Sequence, residues 1–256
     1  MNYEFVDYEK KGRIAIIRMN RPDRLNSMSR GMVRDLNQAW RRYMGDEDAW
    51  VAIYTGTGRA FCSGMDVKEA AESAEKGQKP SPPTTPLDTG EVTKPVIAAI
   101  NGFALGGGFF WSMKCDLRIA AESAVLQIAE VLRSRLPTIL LRGLVDVFPH
   151  CLAMELGMGK RISARRAYEM GLLNKVVPDA EVMTEATKMA EEILELPPLA
   201  VRYTLEGLRN MRKARSVDGE VEKWMDRTLE KLLATEDYAE SVKSFVEKRK
   251  PVYKGR

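Results

Sequence analysis

Two rhythms of apolar residues run along this chain. Near the start, residues 3–8 and 13–18 read as two short strands around a Lys-Lys-Gly turn, a hairpin. Over MSRGMVRDLNQAWRRYM the spacing becomes four: Met32, Leu36, Trp40 and Met44 mark one face of a helix. VAIYTG, from Val51, and KPVIAAI, from Lys94, are continuous apolar runs that end at turns and read as buried strands. Strands alternating with helices predict an α/β fold. From Ala180 the pattern is helical almost throughout, in AEVMTEATKMAEEILEL and VDGEVEKWMDRTLEKLL, broken at Leu196-Pro197-Pro198. A helical tail after an α/β body predicts a packing or oligomerisation element.

One segment fits neither rhythm. Residues 72–90, ESAEKGQKPSPPTTPLDTG, hold four prolines that oppose regular helix or central strand. The expectation is a surface loop, and functionally a lid beside a binding site. No fixed-period repeat accompanies it.

Composition narrows the chemistry. The 256 residues are 45% apolar and 30% charged, with 40 Lys and Arg against 36 Asp and Glu, a net charge of +4. That charge suits a small anionic ligand as readily as a nucleic acid. No apolar run reaches the roughly 18 residues that span a bilayer. The start, MNYEFVDYEKKGR, shows neither a signal core nor transit character, so a cytoplasmic protein is expected. Cys62, Cys115 and Cys151 are far apart and form no CxxC pair, which predicts free thiols. With His150 the single histidine, a His-based metal site is not expected.

Two glycine turns carry the functional signal. GRAFCSGMD follows the strand VAIYTG, and NGFALGGGFF follows KPVIAAI; each leads into a helix pattern. Backbone N–H groups from two such turns can converge on one oxygen and hold it as an oxyanion. Neither turn matches the dinucleotide or phosphate-loop glycine patterns.

Six motifs in order extend this signal: NRPDRLNSM, GRAFCSGMDVKE, KPVIAAINGFALGGG, KCDLRIAAESAVLQIAE, LAMELGMGKRISARRAYEMGLLNKVV and SFVEKRKPVYKGR. Together they resemble the crotonase superfamily, the enoyl-CoA hydratase/isomerase family, over almost the whole chain. The resemblance implies a spiral of ββα units over residues 1–190 and a C-terminal helical oligomerisation region over 191–256. It further implies a homotrimer or a hexamer made of two trimers, and acyl-CoA thioester substrates. No cofactor is implied beyond coenzyme A carried in by the substrate. The two oxyanion donors then fall on the backbone of Met65 and Gly107, flanked by Gly64 and Gly106, with Gly107 opening a helix whose dipole favours an anion.

Two departures from the family pattern bear on the reaction. Hydratases of the family carry a glutamate where this chain has Phe110, whereas their second glutamate corresponds to Glu130. One carboxylate beside an oxyanion hole can shuttle a proton between two carbons, so single-base double-bond isomerisation is expected, with Phe110 lining the site. Loss of a neighbouring carboxylate would by itself favour the charged form of Glu130, and burial against Phe109, Phe110 or Trp111 would oppose it. The family's Pro-Gly turn after Glu130 is replaced by VLRSRLPTILLRGLVD, with Thr138, Ile139, Leu140 and Leu141 in place of glycines, which implies an altered acyl pocket. Asp146 and His150 are candidate second acids, although a helix cap or backbone contact is their commoner use. Hydration with a substitute acid, or hydrolysis or lysis of the acyl group, stays open.

By the same resemblance Arg24, Lys248 and Phe245 contact coenzyme A. Asp66 reads as the cap of a helix from Val67. The competing class, an RNA-binding or catalytically lost relative, is opposed by the retained Glu130 and GGG and by the lack of an aromatic-interleaved basic stripe. A non-catalytic trimer partner stays open as well. No membrane association is expected.

Overall fold

The computed structural model describes residues 3–76, 84–133, 137, 144, 148–213, 223, 227–228, 230–231 and 233–256. The expected hairpin forms from β1 (Val6–Lys11) and β2 (Ile14–Met19), antiparallel from Val6↔Met19 to Lys11↔Ile14. It is shifted from the sequence reading: Lys10 and Lys11 lie in the strand and the turn falls on Gly12, at φ 57°. β1 is the edge strand and exposes most of its side chains, so lysines are tolerated within it.

Helix α1 (Arg30–Gly45) starts at Ser29, whose hydroxyl accepts a hydrogen bond from Met32 N at 3.1 Å. Its buried face runs Met32, Leu36, Ala39, Trp40, Tyr43. Tyr43 replaces Met44 at the end because steps of four drift off a 3.6-residue helix and a step of three restores the face.

Three ββα repeats follow. β3 (Val51–Gly56), β4 (Ala60–Cys62) and α2 (Val67–Glu75) make the first. β5 (Val96–Ile100), β6 (Phe103–Leu105) and α4 (Gly107–Lys114) make the second, preceded by a one-turn helix α3 (Pro86–Thr89). β7 (Leu117–Ala121) and β8 (Val125–Gln127) begin the third, with helix α5 (His150–Gly157) beyond it. The first strand of each repeat joins a six-stranded sheet and the second joins a four-stranded one. With β9 (Ile162–Ser163) and β10 (Lys175–Val177) the strand orders are β1-β2-β3-β5-β7-β10 and β4-β6-β8-β9. β2, β3, β5, β7 and β10 are parallel, as are β4, β6 and β8. The two sheets and their helices form the spiral that the family resemblance implies.

β3 and β5 are buried at every position because both faces are covered, which is why their sequences are unbroken apolar runs. Helix α7 (Val182–Leu194), which follows α6 (Ala164–Glu169), packs over β3, β5 and β7. An edge-to-face aromatic chain links the layers: Trp40 to Tyr54 at 5.2 Å and Tyr54 to Phe61 at 5.1 Å, with Trp111 tilted 6.3 Å from Tyr54.

Of the loop and lid expected over 72–90, residues 77–83 lie outside the described residues, and both described flanks include helix. α2 runs on to Glu75, and Pro86 opens α3, since proline is favoured in a first helical turn. Asp88 completes that turn, its Oδ2 accepting from Thr85 N at 2.6 Å and Thr85 Oγ1 at 3.0 Å.

Helix α8 (Pro198–Lys213) begins at the predicted break, and α9 (Glu236–Glu247) closes the helical tail. Most of the helix expected over VDGEVEKWMDRTLEKLL lies outside the described residues. α8 is fastened to the core by Arg209, whose guanidinium is bidentate on Asp116 at 2.7 Å and donates to Val92 O at 2.9 Å.

Candidate active site

The two glycine turns meet beyond the C-terminal ends of the parallel strands, where open α/β sheets usually place a ligand. The first turn, Cys62–Met65, is held from below by NRPDRLNSM. A short 3-10 segment, Pro22–Arg24, leads into Leu25 and Asn26, both left-handed at φ 50° and 54°. Asparagine tolerates that conformation. The fully buried Asn26 side chain accepts from Arg21 N at 2.8 Å and donates to Ala60 O at 2.8 Å and Thr57 O at 3.0 Å. Ser63 N donates to Leu25 O at 3.0 Å, and Met28 forms a parallel bridge with Met65. The bridge consists of Met28 N to Gly64 O at 2.8 Å and Asp66 N to Met28 O at 3.3 Å. In a parallel bridge the facing residue turns its own N–H and C=O away from that partner, so Met65 N–H is aimed off the Met28 side.

Asp66 caps α2 as expected. Its Oδ1 accepts from Lys68 N at 3.1 Å and Glu69 N at 3.3 Å. Its Oδ2 takes Arg21 Nη1 at 2.6 Å and Ser27 Oγ at 3.2 Å. Burial alone would raise the Asp66 pKa, but the Arg21 hydrogen bond and charge, with the Glu69 amide, hold it below the usual carboxylate value.

The second turn starts α4. Gly106 sits at φ 50°, ψ −119°, a conformation essentially confined to glycine, and its N–H donates to Gln127 O at 2.8 Å. The turns touch through bare backbone. A Cβ on Gly64 would lie 3.3 Å from Gly107 N, and one on Gly108 would lie 2.1 Å from Cys62 O. Gly107, as the first residue of α4, has no earlier turn to receive its N–H. The partial positive charge of the helix start gathers there.

Glu130 closes the site from the third repeat, just past β8. Its Oε1 would be 3.0 Å from a Cβ on Gly106, so the carboxylate lies directly against the second turn, with Oε2 shielded from solvent. The structure thus brings Gly64, Met65, Gly106, Gly107 and Glu130 together. Phe110 is half-buried one helical turn into α4, its N–H bonded to Gly106 O at 3.0 Å and its ring 5.0 Å from Lys114 Nζ. Its neighbours Phe109 and Trp111 are buried core residues. Of the three aromatics after the glycines, two are buried in the core and Phe110 is partly buried against it.

Other candidates are placed elsewhere. Arg24 is half exposed at the end of the 3-10 segment, near Asp23 at 3.6 Å. His150 is exposed at the start of α5. Lys248 is exposed just after α9; among the described residues no hydrogen bond or ion pair ties it to the two turns. The side chain of Phe245, all of Asp146, and residues 138–141 lie outside the described residues. Cys62 is a buried, inert thiol with its pKa pushed up by burial to about 12. A cavity of about 640 Å³ opens between Trp50, Lys94, Arg202 and Gly255. Those residues surround the N-terminal ends of β3 and β5, the opposite edge of the sheet from the glycine turns. Sequence reading missed Met28 and Arg21, an apolar residue and a surface-type cation whose roles arise only from contacts distant in sequence.

With this geometry in hand, comparison with known proteins is decisive. The family model for enoyl-CoA hydratase/isomerase matches residues 9–256. The chain belongs to the enoyl-CoA hydratase/isomerase family. It is 35% identical, over 96% of its length and 89% of the relative's, to a probable mitochondrial enoyl-CoA hydratase of Dictyostelium discoideum. It is 34% identical to a mevalonyl-coenzyme A hydratase of Aspergillus fumigatus, over 94% of this chain and 91% of that one. The crystal structure of a Bacillus anthracis enoyl-CoA hydratase superposes with a TM-score of 0.89 at 33% identity, covering 99% of this chain and all of the other. As a member of this family the chain is an enzyme, an enoyl-CoA isomerase or hydratase acting on acyl-CoA. Among the described residues no helix is long and apolar enough to cross a membrane.

Proposed function

We propose that this family member shifts the double bond of an enoyl-CoA, using Glu130 as a single proton carrier. Met65 and Gly107 donate backbone hydrogen bonds to the thioester oxygen. The Glu130 carboxylate takes the proton from C2 of a 3-enoyl thioester, and the electron pair moves through the carbonyl carbon to oxygen as a dienolate. The two N–H groups hold that charge where the α4 dipole favours it. Glu130 then returns the proton to C4, leaving the conjugated 2-enoyl thioester and the carboxylate regenerated. Coenzyme A enters only as part of the substrate, with Arg24, Lys248 and Phe245 proposed as its contacts. Residues 191–256 are proposed as the self-association region.

The observation that carries this reading is the Glu130 carboxylate set against Gly106, with a phenyl ring at the neighbouring turn of α4. A second carboxylate there would serve hydration by holding a water; Phe110 cannot. The second reading, hydration of a 2-enoyl thioester, is favoured by the hydratase names of the relatives.

Absorbance at the enoyl-thioester band separates them. A 3-enoyl-CoA should give a rising band, slowed about 10²–10⁴-fold in Glu130→Gln, the range expected for loss of a positioned acid–base group. A faster fall of the band with crotonyl-CoA would assign hydration and overturn the single-base mechanism.

A further inference from the structure

The three glycines of the second turn are required for three different reasons. Gly106 is fixed by its backbone conformation. Gly108 is fixed by backbone, because a Cβ there would strike Cys62 O. Gly107 has neither constraint: its φ is not left-handed, and its next backbone neighbour, Gly64 Cα, is an ordinary 3.8 Å from a built Cβ. What bars a side chain at 107 is another side chain. Met28 Sδ lies 2.3 Å from that Cβ position and Met28 Cε lies 3.2 Å from it.

Met28 is also the residue whose main chain forms the bridge to Gly64 and Asp66 on either side of Met65. One buried residue therefore grips the first turn with its backbone and the second with its thioether. We propose that Met28 is a positioning residue that sets the gap between the Met65 and Gly107 amides and so the fit of the oxyanion site. This rests on the reading of those amides as donors. The physical reason is that an oxyanion site gains its strength from donors held at fixed separation before the charge appears. The main-chain bridge from Met28 holds the first turn by hydrogen bonds, and the Met28 thioether bears on the second. A thioether is soft enough to fill the irregular space over a bare Cα and bulky enough to keep the turns apart.

The test uses the 256-residue protein and four variants, with unfolding temperature recorded beside two functional readouts. One readout is kcat and KM on the thioester the wild type turns over. The other is the absorption band of a bound aryl-acrylyl-CoA, which moves to the red when its carbonyl is polarised. Gly107→Ala should lose about 10²-fold or more in kcat, as for loss of one donor, together with the red shift. Met28→Ala should lose about 10-fold in kcat with KM changed less than about threefold, and Met28→Leu should return within about threefold of wild type. The double variant Met28→Ala/Gly107→Ala, in which the new methyl occupies the vacated space, should recover at least about 10-fold over Gly107→Ala, a coupling that independent sites do not show.

A merely structural role would lower the unfolding temperature of Met28→Ala while leaving kcat and the red shift unchanged, and that result overturns the proposal. So does a double variant no better than Gly107→Ala. A wild type that binds the probe with no red shift would instead remove the donor reading itself, and the proposal with it.

Discussion

Gly108→Ala tests the close approach of the two turns by a route that avoids every reacting group. A Cβ at 108 would lie 2.1 Å from Cys62 O, 2.7 Å from Cys62 C and 2.8 Å from Cys62 Cβ. Ordinary contacts are about 3.4 Å or more, so the turns must part by about 1 Å. The obstructing atoms are backbone and cannot swing aside as a side-chain tip would. Cys62 is also anchored, its strand β4 pairing with β6 and its Sγ accepting from Gly64 N at 3.4 Å. Two opposing energies apply. Alanine in a helix is favoured over glycine by up to about 1 kcal/mol, and less in a first turn. Overpacking a filled site costs about 1–3 kcal/mol. The second wins, so net destabilisation of about 1–2 kcal/mol is expected, which is roughly 2–4 °C in Tm for a chain of this size. The effect on rate should be larger. A 1 Å separation of the donors approximates loss of one of them, about 10²–10³ in kcat. Steady-state kinetics on the enoyl thioester together with thermal unfolding would measure both. A Gly108→Ala enzyme with kcat within about twofold of wild type would refute the claim that this approach sets the donor geometry.

Three further outcomes follow from contacts outside the turns. Arg21→Met leaves Asp66 without its main counter-charge and should cost about 2–3 kcal/mol at pH 7, measured by denaturant unfolding. Because the folded-state pKa of Asp66 is depressed, this contribution is present above the ordinary Asp value near 4 and fades as pH falls through the lower folded value. The gap between variant and wild type should therefore narrow in acid, and a gap that widens would contradict the assignment. Arg209→Met removes the bidentate pair with Asp116 and should lower Tm by several degrees, while an unchanged Tm would show that α8 is held by other contacts. In thiol titration of the native protein near pH 8, exposed Cys151 should react promptly, whereas Cys62 and Cys115, both buried with pKa values pushed up by desolvation, should react only on unfolding. Three fast thiols in the native state would be incompatible with the core described above.

Local sequence was sufficient wherever the governing interaction is local or periodic. The α/β class, the hairpin, the buried strands VAIYTG and KPVIAAI and the face of α1 follow from apolar spacing alone, since burial on one or both sides imposes its period on the chain. The Asp66 cap follows in the same way, because its partners lie two and three residues away. The ordered motifs carried the family, and with it Gly64, Met65, Gly106, Gly107 and Glu130 as site candidates. Prolines misled locally: Pro86 reads as a breaker, yet at a first helical position its missing N–H costs nothing.

What the tertiary structure alone decided are contacts between turns far apart in sequence. That Gly108 is closed by Cys62 O, Gly107 by Met28 Sδ and Gly106 by the Glu130 carboxylate depends on how the segment before α1 and the three ββα repeats pack together, and no spacing within one segment encodes it. The same packing sent Phe109 and Trp111 into the core and left Phe110 half-buried against it. A helix places consecutive side chains about 100° apart, but only the packed neighbours determine which direction is inside.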